Sequence, residues 1–90
     1  MNRYDPLRDR LREVHGASEV TLTFAEIEQL IGGSLPASAR EHRAWWANEG
    51  RPDSSHVQCR AWMEAGWFVD SVDVHAGRVT FVESSDAVSG

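Results

Sequence analysis

Four histidines (His15, His42, His56 and His75) and one cysteine, Cys59, are the side chains able to hold a soft metal or pair a nucleophile with a base. Only His56 and Cys59 stand close, three residues apart, and no C-x2-C or H-x3-H spacing of the kind a structural zinc needs occurs. Cys59 falls on the apolar side of its predicted helix, where a thiol is packing material rather than a thiolate. The carboxylate pairs Glu26/Glu28 and Asp70/Asp73 have ordinary surface spacings. Gly32-Gly33 follows a helix instead of opening one, so it makes no phosphate cradle. The chain reads as a non-enzyme, with no catalytic set, metal site or cofactor.

What remains is cationic chemistry. All nine basic residues are Arg. GC-rich coding accounts for that choice, although the guanidinium fork also suits phosphate and guanine better than an ammonium does. The net charge of −5 argues against a generic nucleic-acid coat, because non-specific affinity comes almost wholly from cation–phosphate contacts. The charge is unevenly spread. Residues 17–38 hold three acids and no base, and residues 64–90 hold five acids and one Arg, whereas residues 39–62 hold four Arg and two His against three acids. An anion-binding surface therefore belongs to residues 39–62 or to the first helix, where Arg8, Arg12 and His15 line one face beside Asp9 and Glu13.

The elements that must position these groups are marked by caps and stops. Asp5-Pro6 opens a helix over 6–15, with Asp as N-cap, a stripe of Leu7, Leu11 and Val14, and Gly16 as its end. Residues 19–22 form a short strand. Thr23 and Glu26 make a capping box for a helix over 24–31, Leu22 and Ile27 are spaced as a hydrophobic staple, and Gly32-Gly33 stops it. Ser38 and Glu41 form a second box for a helix over 38–48, a start near Pro36 being the alternative. On its wheel Ala39, His42, Trp45 and Trp46 gather on one side and Arg40, Arg43, Ala44 and Ala47 on the other, with Asn48 at the margin. Trp45 and Trp46 diverge by about 100°, so one of them stays partly exposed. Residues 49–55 are loop by composition. Ser55 and Gln58 cap a mostly apolar helix over 56–65 with one polar stripe, His56, Arg60 and Glu64, ended by Gly66. Strands at 67–74 and 78–83 flank a turn at His75-Ala76-Gly77.

The predicted core is Leu11, Leu22, Phe24, Ile27, Leu30, Ile31, Trp46, Val57, Ala61, Trp62, Val72 and Phe81. Trp45, Trp46, Trp62 and Trp67 could stack exposed bases, but four Trp in a ninety-residue domain are first of all its core. One domain over 1–83 and a flexible tail over 84–90 are expected. A single Cys, a charged N-terminus and no apolar run near 18 residues suggest a cytoplasmic protein without a membrane span.

The strings LTFAEIEQLIGGSLPASAREHRAWWAN, HVQCRAWMEAGW and VDSVDVHAGRVTF, within residues 20–83, resemble a family of small uncharacterised bacterial domains, and more loosely winged helix-turn-helix DNA-binding domains. The resemblance implies an α+β, winged-helix-like fold of four short helices, a short strand that can join a C-terminal β-hairpin, and the hairpin as the wing. A typical wing follows its recognition helix directly, whereas here the 56–65 helix stands between the wing and the basic 38–48 helix. Either helix is therefore a candidate for a DNA groove. The family carries no activity over; the winged-helix architecture and the Arg/Ala face of the 38–48 helix point to binding of double-stranded DNA by a transcriptional or defence-associated regulator, through Arg40, Arg43, Asn48 and Arg51 with His56, Arg60 and Arg78 as auxiliaries. Such an acidic chain would bind better as a homodimer. The alternative is a protein-interaction adaptor or antitoxin-like subunit that uses a Trp-rich surface and the acidic hairpin.

Overall fold

A computed structural model describes residues 3–14, 16–48 and 58–83. Along the chain these form α1 (Asp5–Arg12), β1 (Glu19–Thr23), α2 (Phe24–Ile31), α3 (Ala37–Glu41), a 3-10 turn (Arg43–Trp46), α4 (Gln58–Glu64), β2 (Trp67–Asp73) and β3 (Arg78–Glu83). The class is α+β. The three strands make one antiparallel sheet in the order β1-β3-β2, so the early strand does join the C-terminal hairpin and pairs with its second strand.

The register sorts the side chains. Val20, Phe81 and Val69 stand in one row and Leu22, Val79 and Val72 in the next, all on the face turned to the helices. Val79 and Phe81 are fully buried there. Helices α1 and α4 pack against each other, α1 packs on α2, and α4 packs on β2. Leu7, Leu11, Ile27 and Trp62 fill the space between. Arg8 pairs with Asp5 (3.4 Å) and Asp9 (3.2 Å) within α1 and reaches across to Glu64 of α4 at 3.7 Å.

The capping signals on α2 form as expected. Thr23 Oγ1 accepts from the Glu26 N–H (3.0 Å), and Glu26 Oε1 accepts from the Thr23 N–H (2.7 Å). Gly32 closes the helix in the left-handed conformation at φ 72°. Elsewhere the boundaries move. Tyr4, rather than Asp5, is the N-cap of α1, and Glu13 is its C-cap. Trp67, buried on β2, donates its indole N–H to the Leu11 carbonyl at 3.1 Å, supplying a partner at the carbonyl end of α1.

The largest correction is to the helix expected over 38–48. It is two pieces: α3 ends at Glu41, His42 is extended (φ −127°, ψ 121°), and a 3-10 turn carries the Trp pair. The alternative start near Pro36 holds, which puts Ser38 inside α3, and the expected Ser38–Glu41 box gives way to Pro36 as N-cap without a side-chain bond. The cause is the core. In a continuous helix the Ala39 carbonyl would take the Arg43 N–H; here it accepts the Trp46 indole at 2.9 Å. The break turns Trp46 between Phe24 (5.4 Å, stacked) and Trp62 (5.8 Å, stacked), while Trp45 packs edge-on against Tyr4 at 5.9 Å. Full burial of Trp46 and partial burial of Trp45 outweigh local propensity, which is worth only roughly tenths of a kcal/mol per residue.

Of the expected core, Leu30, Ile31 and Val72 are only half-buried, and Val57 lies outside the described residues. Tyr4, Leu7, Leu35, Ala39, Cys59, Trp67 and Val79 join it. Ser55, expected to cap α4, also lies outside the described residues. Gln58 is buried and donates its amide to the Trp45 carbonyl at 2.8 Å. No helix among the described residues is long and apolar enough to cross a membrane.

Candidate nucleic-acid interface

The break at His42 dissolves the continuous helix face on which Arg40 and Arg43 were to lie. Arg40 turns back to α2, where its guanidinium pairs with the Glu28 carboxylate. The same Glu28 oxygen accepts the Leu35 N–H at 2.8 Å. These two contacts, the backbone bond first, hold the Glu28 carboxyl below its ordinary pKa. Together they fasten the segment after Gly33 to α2, so Arg40 has a structural partner before it meets any ligand.

Asn48 is likewise engaged. Its Oδ1 accepts both the Val69 N–H and the Trp62 indole N–H, each at 2.9 Å, and its Nδ2 donates to the Val69 carbonyl at 3.0 Å. Val69 sits on β2, one of the two edge strands of the sheet, opposite Phe81 of β3. The carboxamide therefore pairs with that edge as one residue of a fourth strand would, and ties it to α4 through Trp62. Only one amide hydrogen of Asn48 remains without a partner among the described residues.

Beyond this clamp lies an open cleft of about 390 Å³, lined by Arg43, Trp46, Ala47, Asn48 and the β2 residues Val69 to Val72. A register shift between Val69 and Ser71 bulges Asp70 out of β2 at this point. Arg43 is exposed and has no ion pair among the described residues; its cleft also holds the exposed Asp70, so the local field is mixed.

Arg60 is exposed on α4, the helix that Gly66 (φ 88°) joins directly to the hairpin. Arg78 is exposed at the start of β3, paired in register with Asp73 on one side and Thr23 on the other. Asp73 Oδ1 accepts the Ala76 N–H at 3.0 Å, which fixes the turn and lowers the Asp73 pKa, with a smaller push from Arg78. Arg51 and His56 lie outside the described residues. Of the seven expected site residues, then, Arg43 and Asn48 share one cleft, Arg40 is bound to α2, and Arg60 and Arg78 stand on separate elements.

The sequence carried faint signals for the two engaged residues. Glu28 lies on the exposed flank of α2, two residues past the capping Glu26, and nothing local marks it as a partner for residue 40. Asn48 stands at the end of a Trp-rich run, which suits a side chain turned toward an indole, but its bond to Val69 spans 21 residues. Among the described residues, no group of three His, Cys, Asp or Glu side chains is placed to hold a metal ion. Cys59 is buried.

No curated protein and no solved structure matches this chain. A family model described as a domain of unknown function (DUF7662) matches residues 4–85, from the N-cap of α1 to just past the end of β3, and the chain belongs to that family.

Proposed function

We propose that this domain is a winged-helix-like DNA-binding module of a small regulator, in which α4 and the β2–β3 hairpin face the duplex. The observation that carries the reading is the order of elements. Helix, strand and helix are followed, after an insertion, by a helix running straight into a hairpin, and the sheet closes as β1-β3-β2. That order supports a winged-helix reading in which α4 is the recognition helix. It favours the later of the two candidate helices, since α3 is five residues long and its Arg40 is occupied. Arg60 and Arg78 would each meet a phosphate, one at the groove edge and one beside the turn, with Arg43 as a flanking contact. Arg40 and Asn48 then act as supports, and Arg51 and His56 lie outside the described residues.

Two phosphate-contacting arginines give a salt slope of about 2, since each contributes roughly 0.9. The test is a titration of a fluorescent mixed-sequence duplex at several salt concentrations, with wild type and the double variant Arg60→Ala/Arg78→Ala. The expected result is binding at low salt whose slope falls by roughly 2 in the variant. An unchanged slope removes these two residues from the interface. The adaptor reading loses its Trp-rich surface, because Trp46, Trp62 and Trp67 are buried and Trp45 is half-buried.

A further inference from the structure

The face of the sheet turned away from the helices carries three rows: Glu19, Val82 and Phe68; Thr21, Thr80 and Ser71; Thr23, Arg78 and Asp73. None of the described elements covers it. Phe68, at 37 % exposure, is the exposed large apolar side chain of the described residues, and the half-buried Val82 stands beside it in register. The middle row is polar and ordered, with the Thr21 and Thr80 hydroxyls 3.0 Å apart. Glu19, Asp73 and the bulged Asp70 are all exposed acids on or beside this face, and the single base on it, Arg78, stands opposite Asp73.

From this geometry we infer that the outer sheet face is a docking surface for a cationic polypeptide segment that presents an apolar side chain to Phe68 and Val82. Charge complementarity selects the occupant. With Asp73 set against Arg78, Glu19 and Asp70 leave the Phe68 end of the face net negative, so Phe68 is not a platform for stacked bases, whereas a Lys- or Arg-rich segment gains both steering and register there. An exposed aromatic ring beside a β-branched residue supplies the desolvated anchor such contacts need. The face points away from α1, α2 and α4, and it meets the DNA surface assigned above only at Arg78, at its turn end, whereas Phe68, Val82 and Glu19 lie at the opposite end of the sheet.

The probe is a fluorescein-labelled oligolysine peptide with a central leucine pair, followed by anisotropy at low salt, with an oligoglutamate counterpart as control. The wild-type protein should bind the lysine peptide and not the glutamate one. Glu19→Arg/Asp70→Arg should weaken lysine-peptide binding about tenfold, or 1.4 kcal/mol, and Phe68→Ser should weaken it further. Arg60→Ala should leave it unchanged, and circular dichroism should show each variant folded. No binding by wild type, a smaller loss in the charge-reversed variant, or equal binding of the glutamate peptide would overturn the inference.

Discussion

Replacing Asn48 by Ala removes one side chain from the surface but three hydrogen bonds from the junction of β2 and α4. The two backbone groups of Val69 lie at an exposed edge, where water substitutes, so each bond is worth about 0.5–1.5 kcal/mol net. The Trp62 indole belongs to a fully buried ring, and leaving its N–H without an acceptor costs about 1–3 kcal/mol. Together these predict a loss of roughly 2–6 kcal/mol, a large share of the roughly 5–15 kcal/mol that holds a domain of this kind together. At about 4–8 °C per kcal/mol for this chain length, Tm should fall by at least roughly 8 °C. Asn48→Asp keeps the acceptor for Val69 and Trp62 but places a carboxylate oxygen against the Val69 carbonyl, so its loss should be substantial too. Thermal melts followed by circular dichroism read the effect directly. A Tm for Asn48→Ala within about 3 °C of wild type, the range of an ordinary surface substitution, would refute the clamp.

Ile27→Ala, at a fully buried position between α2 and the sheet, should cost roughly 2–5 kcal/mol in urea unfolding, and an unchanged midpoint would contradict the packing. Stability should also fall on acidification. Glu26, Glu28 and Asp73 all titrate below their ordinary values because backbone N–H groups bind their charged forms. A depressed folded pKa contributes stability that is complete above the unfolded value, near pH 4, and is lost as pH falls through the folded one. Tm should thus hold from neutrality to about pH 5 and decline below about pH 4. Glu28→Gln should make that decline shallower, and a decline as steep as that of wild type would remove Glu28 as a contributor.

The parts of the fold readable in the chain are those whose signals are local. Thr23 and Glu26 are three residues apart, so their reciprocal bonds could be foreseen, as could the stops at Gly32 and Gly66. The alternation of Val79 and Phe81 identified the inner face of β3. The helix expected over 38–48 failed for the opposite reason. Its sequence has acceptable local propensity, but Trp46 gains more from stacking between Phe24 and Trp62, 22 residues before it and 16 after, than the backbone loses by breaking at His42. The candidate site followed the same division. Arg60 and Arg78 sit on elements that local signals placed, and both are exposed where expected. Arg40 and Asn48 were assigned to a helix face that does not form, and their partners, Glu28 and Val69, lie 12 and 21 residues away. Long-range hydrogen bonding of this kind leaves no periodicity to read.

Amide shift mapping of isotope-labelled protein, titrated with a mixed-sequence duplex of roughly 20 base pairs near 50 mM salt, locates a DNA-binding surface residue by residue. The perturbations should concentrate on the exposed side of α4 around Arg60 and on the hairpin turn from Val74 to Arg78, and they should fade as salt is raised. The outer-face residues Glu19, Thr21 and Phe68 should stay unshifted. A saturating duplex that moves no amide of α4 or of the turn would contradict the DNA-binding reading.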